Sequence, residues 1–187
     1  MMNIDFDPAT KNINLTFSNP LSAGISLKWS DTQSYFKTID TTIDLFAYKE
    51  SIYDPCTFSY REGRYNISGS GCAYTAESVR LAQAEVSAHS SRSLYQVSSF
   101  PIYYFDLAQL ATDRGFAHVL AQPLSAGGWT PTQNFANLFT DQLGLSALRV
   151  PSSKGSECCM VFYADNRLSD GFFTKISALA SSPPILP

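Results

Sequence analysis

No apolar stretch in the sequence approaches the ~18 consecutive residues that a membrane-spanning helix requires. The first residues, MMNIDFDPATKN, contain acids where a secretion signal would carry a basic and then an apolar segment. We therefore expect no membrane partner and a cytoplasmic location.

Charge is sparse, and basic residues do not cluster. Charged residues make up 16% of the 187 residues, the formal net charge is -3, and the lysines and arginines are scattered singly. Non-specific binding to a phosphate backbone needs a basic stripe. We therefore expect no nucleic-acid partner.

Spacings typical of metal ligands are absent as well. The two histidines, His89 and His118, lie far apart and have no carboxylate cluster beside them. Of the four cysteines, Cys158 and Cys159 are adjacent, whereas a zinc site usually shows a C-x-x-C spacing. We expect no metal, and buried free thiols that behave as small apolar side chains.

The length and the apolar pattern predict one domain, residues 1–187, large enough to bury a core without a disulfide or a metal. Apolar and polar residues alternate in KNINLTFSN and AGISLKW, which predicts two strands joined by the turn NPLSAG.

The stretch after these strands, residues 31–50, predicts a helix. Five apolar residues fall near one helical face: Tyr35, Phe36, Ile39, Ile43 and Phe46. Thr75 is expected to cap a second helix, from Ala76 to His89, whose buried stripe is Val79, Ala82 and Val86.

The rest of the chain predicts further strands and helices. They are a short strand in CAY, two strands in RSLYQVSSFPIYYFDL, a helix at 107–113, a helix beginning at Thr130 and Pro131, and strands in SALRV and CCMVFYA.

The segment 63–89, GRYNISGSGCAYTAESVRLAQAEVSAH, carries the candidate site. It places Arg64, Tyr74 and Glu85 at intervals of 10 and 11 residues. Each has an ordinary structural explanation when taken alone. However, Glu85 is flanked by small apolar residues, and Tyr74 ends a strand where a helix begins, a place where ligands gather in mixed folds. Together these features indicate a cleft.

The patterns GRYN, AYTAES and LAQAEVSAH resemble the RES domain family, whose members are bacterial toxins that consume NAD. The family form is Gly-Arg-Trp-Asn, a Pro-Gly turn, Val-Tyr-Thr-Ala-Glu-Ser, then Ala-Leu-Glu-Val and a histidine. Arg64, Tyr74, Glu85 and His89 fall on it in order, with Tyr65 in place of tryptophan.

The resemblance extends over residues 56–165 and reaches LRVPSSKGSECCMVF, where Ser152 stands for the family serine. Residues 1–50 are then an N-terminal extension that extends the sheet or serves as a docking surface. We expect residues 181–187 to form a loose tail.

The resemblance implies an α+β fold similar to ADP-ribosyltransferases, with twisted, mostly antiparallel sheets flanked by helices around an NAD cleft. It also implies an activity and a partner. The enzyme would cleave NAD, as substrate, at the nicotinamide–ribose bond and transfer ADP-ribose to phosphate or water. A cognate antitoxin would be its protein partner.

The resemblance also implies a role for each site residue. Arg64 would bind a phosphate of NAD through its planar guanidinium, with Arg61 as an alternative for this role. Tyr74 would offer a flat ring and a hydroxyl. Glu85 would stabilise the cationic transition state, and Ser152 would bind the nicotinamide end.

Two alternatives stay open from the sequence. One is a transferase that attaches ADP-ribose to a protein. The other is a non-catalytic, β-rich binding or structural protein in which Glu85 is solvated and the other residues point elsewhere. For His89 and Trp129 we favour structural roles, as a contact at a helix end and as helix packing.

Overall fold

The computed structural model describes residues 2–17, 25–39, 43–50, 57–85, 92–99, 102–121, 130–142, 145–164 and 174–179. The strands within these ranges are β1 (Met2–Asp7), β2 (Asn12–Phe17), β3 (Ile25–Leu27), β4 (Phe36–Ile39), β5 (Ile43–Glu50), β6 (Cys72–Ala76), β7 (Arg92–Ser99), β8 (Ile102–Asp106), β9 (Ala147–Pro151), β10 (Cys158–Tyr163) and β11 (Thr174–Leu179). The helices are α1 (Trp29–Thr32), α2 (Val79–Glu85), α3 (Leu107–Asp113), α4 (Ala117–Leu120) and α5 (Thr130–Asn137).

In the described ranges the strands form two sheets. A three-stranded sheet has the order β1-β2-β3, and an eight-stranded sheet has the order β11-β7-β5-β6-β10-β9-β8-β4. Neighbouring strands are antiparallel except β8 and β9, which are parallel. The predicted α+β class with mostly antiparallel strands is confirmed.

The large sheet is covered on both faces, which explains why every residue of β10 is buried. One face packs on α3 and α5 in a core that includes Leu110, Phe139 and Val161. The opposite face buries a second cluster around Val97 and Phe162. A strand buried on both faces is apolar throughout, as CCMVFY is.

The N-terminal extension contributes to both sheets. Its strands β4 and β5 belong to the large sheet, so this part of the extension does extend the sheet. Its first three strands form the small sheet, whose Ile13, Leu15 and Leu27 are buried in the same core cluster as α3 and α5.

The helix predicted over residues 31–50 is wrong. Between β3 and β4, the structure has only α1 and a single 3₁₀ turn, Gln33–Tyr35. Residues 43–50 form β5, which pairs along its length with β7. The apolar spacing fits a helical face, but Leu45 and Ala47 are buried while Asp44 is exposed and Phe46 half-buried, which follows the period of two of a strand. Threonine and isoleucine favour that choice once a partner strand is present.

The start of the second predicted helix also needs correction. Thr75 and Ala76 belong to β6, and α2 begins at Val79. The cap is Ser78, whose hydroxyl accepts the Leu81 N–H at 3.0 Å. Thr75 cannot cap because its hydroxyl donates to a neighbouring strand. The predicted residues of this helix beyond Glu85, including Val86 and His89, lie outside the described residues.

The remaining predicted elements are confirmed within the described residues. They are β2, β3, β6, β7, β8, α3, α5, β9 and β10. The sequence analysis missed β1 and β11. The turn NPLSAG and the tail 181–187 lie outside the described residues. No helix in the described part of the chain is long and apolar enough to cross a membrane.

An ion-pair network joins β9 to the ends of two other strands. Arg149, in the middle of β9, donates Nε to Glu77 at 2.6 Å and Nη1 to Asp106 at 3.2 Å. Asp106 also caps α3, since it accepts the Gln109 N–H at 2.9 Å. The network therefore fixes the ends of β6 and β8 relative to β9.

Candidate active site

Arg64 lies in a tight turn, residues 63–66, called here the Arg64 turn. Two backbone hydrogen bonds close it: Gly63 N–H donates to Asn66 O at 3.0 Å, and Asn66 N–H donates to Gly63 O at 3.3 Å. A Cβ on Gly63 would lie 2.6 Å from Asn66 Oδ1 and 2.8 Å from the Tyr74 hydroxyl. This close approach requires glycine at position 63.

Side-chain hydrogen bonds of Asn66 and Tyr74 stabilise the Arg64 turn. Asn66 is 1% exposed, and its Nδ2 donates to three backbone carbonyls, among them that of Arg61 at 2.8 Å. The Tyr74 hydroxyl donates to Asn66 Oδ1 at 2.9 Å and accepts the Tyr65 N–H at 2.8 Å. The strand residue Tyr74 is therefore joined directly to the turn.

The register of the sheet brings Tyr74 to the same face as Cys159. Tyr74 pairs with Val161, and Ala76 pairs with Cys159, across β6 and β10. Side chains of directly paired residues project from the same face of a sheet. Tyr74 is 37% exposed although its hydroxyl is buried in the turn, so part of the ring stays accessible on that face.

Three donor groups at the Arg64 turn are buried and have no partner among the described residues. Arg64 Nε, Arg64 Nη2 and the Tyr65 hydroxyl form no hydrogen bond of normal geometry within the described residues. The guanidinium carbon lies 5.8 Å from the centre of the Tyr65 ring. A buried donor without a partner costs ~1–3 kcal/mol, so such groups are rare unless a ligand satisfies them.

Glu85, at the end of α2, is oriented by two strands. The buried Ser152, which directly follows β9, donates its hydroxyl to Glu85 Oε1. Cys159 of β10 places its thiol 3.8 Å from the same oxygen. Ser152 is itself fixed, because its oxygen accepts the Lys154 N–H at 2.9 Å. The side chain of Glu85 is otherwise exposed, so the carboxylate is oriented and still accessible.

The Cys159 thiol acts as a donor in this arrangement. Burial raises its pKa far above the ordinary thiol value, and the negative charge of Glu85 raises it further. A thiol that stays protonated is a poor nucleophile and can donate to a carboxylate. Cys159 therefore helps to orient the Glu85 carboxylate.

Tyr65 connects the two halves of the site. Burial raises the pKa of its hydroxyl, the positive charge of Arg64 opposes the rise, and Cys159 and Glu85 add to it. The hydroxyl is therefore close enough to both Arg64 and Glu85 to experience their charges. The site thus contains the Arg64 guanidinium and the oriented Glu85 carboxylate, and the charges of both act on the Tyr65 hydroxyl.

These buried acidic protons predict loss of stability in alkali. Burial raises the pKa of Tyr65, Tyr74, Tyr163 and Cys159 above their ordinary values of about 10 and about 8.5. Above about pH 8.5 the unfolded chain loses protons that the folded chain retains, so the contribution of these four groups to stability is constant below this pH and falls above it. The measurement is urea unfolding between pH 7 and 10.5.

Tyr65→Phe isolates one contribution to this slope. Because the Tyr65 hydroxyl has no hydrogen-bond partner in the described residues, its removal should cost little stability at pH 7. It should flatten the fall above pH 10 by up to about 1.4 kcal/mol per pH unit. Tyr60→Phe, at an exposed tyrosine, is the matched control and should leave the slope unchanged. Equal slopes in all three proteins would contradict the prediction.

The structure places the predicted site residues in two connected pairs. Arg64 and Tyr74 meet through the Arg64 turn, and Glu85 and Ser152 meet through a hydrogen bond. Arg61, the alternative arginine, is exposed. His89 and Trp129 lie outside the described residues.

Sequence reasoning missed three members of this arrangement. Tyr65 was considered only as a replacement for tryptophan, Cys159 only as a core thiol, and Asn66 not at all. Tyr65 and Asn66 follow Arg64 by one and two residues, and this closeness in sequence was the available signal that they belong to the site. Nothing local marked Cys159, because only strand register brings it to Glu85.

The described cysteines and acids do not suggest a metal site. Cys72, Cys158 and Cys159 are free and buried, as predicted, and Cys56 lies outside the described residues. Within the ranges that the structure describes, no group of three or more histidine, cysteine, aspartate or glutamate side chains could hold a metal ion.

Comparison with known proteins identifies a family and a similar solved structure. The family model of the RES domain matches residues 45–172, more than half of the chain. The structure is similar to that of the MbcT toxin in the crystal structure of the M. tuberculosis MbcT-MbcA toxin-antitoxin complex. The TM-score is 0.60 at 16% sequence identity, over 81% of this chain and 90% of that chain. The likeness confirms the predicted fold. The sequence matches no curated protein.

Proposed function

The chain belongs to the RES domain family, and we propose that it is a toxin that cleaves NAD at the bond between nicotinamide and ribose. In the proposed reaction this bond breaks and its electron pair neutralises the pyridinium ring of nicotinamide. The anomeric carbon then bonds to an oxygen of phosphate or of water, and an attacking water releases one proton to solvent. The products are nicotinamide and an ADP-ribose derivative.

One observation carries the proposal: within the described residues, Arg64 and Tyr65 have buried donors without partners, and the Tyr65 hydroxyl is affected by the charge of the oriented, accessible Glu85 carboxylate. NAD carries both chemical counterparts, an anionic pyrophosphate and a ribose that becomes cationic as the bond breaks. Arg64 and the Tyr65 hydroxyl suit the pyrophosphate, because their buried donors would gain the partners they lack. Glu85 suits the ribose, since a fixed carboxylate stabilises an oxocarbenium-like transition state.

Ser152 can serve the carboxylate and the substrate together. Its proton is donated to Glu85, and one oxygen lone pair accepts the Lys154 N–H. A hydroxyl has two acceptor positions, so one remains for the amide N–H of nicotinamide. We therefore assign Ser152 to orienting Glu85 and to binding the nicotinamide end.

We assign to Tyr74 a role in fixing the Arg64 turn and in packing against the substrate. Its hydroxyl is occupied by Tyr65 N–H and Asn66 Oδ1. Its partly exposed ring shares a sheet face with Cys159, beside Glu85, where a flat surface would contact the nicotinamide or the ribose.

The toxin role implies a protein partner and a test in cells. The similar M. tuberculosis structure is a toxin-antitoxin complex, and the chain covers 90% of that chain. We propose that this protein likewise has a cognate antitoxin. Expression alone should then arrest growth and deplete NAD, and co-expression of the antitoxin should restore both.

The decisive experiment is incubation of the purified protein with NAD in phosphate buffer and in phosphate-free buffer. Nicotinamide should appear in both, with phosphorylated ADP-ribose in the first and free ADP-ribose in the second, as separated by chromatography and assigned by phosphorus NMR. NAD that stays intact until a protein acceptor is added would assign a protein ADP-ribosyltransferase instead. NAD that persists with every acceptor would refute the proposal.

A further inference from the structure

Two buried polar residues of α5 contact the Arg64 turn. The Thr132 hydroxyl donates to Arg64 O at 2.5 Å. Gln133 Nε2 donates to Gly63 O at 2.9 Å and to Asn66 O at 3.1 Å. Thr132 is 2% exposed and Gln133 5% exposed, so these contacts are shielded from solvent.

These contacts add donors from α5 to three carbonyl groups of the turn. Gly63 O and Asn66 O already accept each other's backbone N–H, and Gln133 gives each of them a second donor. A third contact joins Gln133 Nε2 to Glu62 Oε1 at 3.1 Å. Since each carbonyl can accept two hydrogen bonds, these contacts attach the closed turn to α5. The hydrogen bond to Arg64 O fixes the peptide of the arginine itself.

The helix that supplies these donors is anchored in the core. Phe135 of α5 stacks on Phe139 with ring centres 4.9 Å apart, and Phe139 stacks on Phe105 of β8 at 4.1 Å. All three rings are fully buried. The donors therefore stand on a rigid element, which holds a functional side chain more accurately than a loop does.

We infer that Thr132 and Gln133 are positioning residues that set the direction of Arg64 toward the phosphates of its substrate. The inference rests on the proposed function, and neither residue is assigned a contact with substrate. Because Arg64 binds a part of NAD remote from the bond that breaks, displacement of the turn should raise KM and leave kcat nearly unchanged. Small displacements of binding groups are enough to change kcat/KM by large factors.

The test compares wild-type protein with Gln133→Met and Thr132→Val, which keep the size of the side chains and remove the donors. Amide hydrogen exchange in residues 61–66 should become faster in both variants, and KM for NAD should rise roughly tenfold in Gln133→Met and less in Thr132→Val. Thr32→Val is the matched control. It removes a buried threonine hydroxyl that donates to Trp29 O at 2.8 Å, far along the chain from the turn.

A combined variant separates positioning from general loosening of the fold. If Gln133 acts through Arg64, adding Gln133→Met to Arg64→Lys should raise KM by less than it does in the wild-type background. Additive effects, a rise in KM matched by Thr32→Val, or slow exchange of the turn in Gln133→Met would overturn the inference. If the wild-type protein left NAD intact, the proposed function would be overturned instead. Amide hydrogen exchange in residues 61–66 would still show whether α5 stabilises the Arg64 turn.

Discussion

Replacing Glu85 with glutamine is expected to lower kcat for NAD cleavage by roughly 10²–10³-fold, the usual effect of removing a group that stabilises developing charge. Glutamine has the same shape, and its oxygen can accept the same contacts from Ser152 and Cys159. The variant therefore removes the negative charge and keeps the geometry. KM for NAD should change little, since the charge matters most in the transition state.

Folding of Glu85→Gln should be retained because the side chain is exposed. We expect a free energy of unfolding within about 1 kcal/mol of wild type, measured in urea. Growth arrest on expression should be relieved. Glu157→Gln is the matched control, since its half-buried carboxylate pairs at 3.6 Å with Arg80, an exposed arginine. If Glu85→Gln turned over NAD like Glu157→Gln, the carboxylate would have no catalytic role.

Replacing Arg64 with methionine is expected to lower kcat/KM for NAD by roughly 10²-fold, mainly through KM. The estimate corresponds to the loss of charge-assisted hydrogen bonds worth ~1.5–3 kcal/mol. Nicotinamide riboside has the same scissile bond and lacks the phosphates. Its turnover should therefore be equal in wild type and Arg64→Met, which tests whether the guanidinium acts on the phosphate.

Stability gives Arg64→Met a second readout. Two of its nitrogens are buried without partners in the described part of the chain, so their removal should leave the free energy of unfolding unchanged or raise it by up to about 2 kcal/mol. A loss of activity with unchanged or increased stability is typical of a binding residue. Arg61→Met, at the exposed alternative arginine, should change neither quantity. A larger effect of Arg61→Met on KM would reassign the phosphate contact.

Individual strands and helices were predictable where the sequence signals fitted only a strand or only a helix. The strand CCMVFY and the helix beginning at Thr130 and Pro131 have such patterns, and both form as predicted. Residues 31–50 satisfy a helical and a strand pattern together. The choice there depends on β7 and β8, which lie about fifty residues further along the chain and offer unpaired edges.

The candidate site was predictable in part for a related reason. Arg64, Tyr74 and Glu85 stand close in sequence and match a family pattern, so they could be selected without coordinates. The residues that position them could not be identified from the sequence. Gln133 reaches the Arg64 turn across about seventy residues, and nothing near Gln133 in sequence indicates that its amide meets buried carbonyls.

The sequence by itself determined the mixed class of the fold, the family, and the residues proposed to meet a phosphate and a developing cation. Only the tertiary structure shows that Ser152 and Cys159 contact Glu85, that the charges of Arg64 and Glu85 both act on Tyr65, and that α5 donates hydrogen bonds to the Arg64 turn. The physical reason is that hydrogen bonds between distant segments depend on strand register and helix packing, and these are properties of the folded chain as a whole.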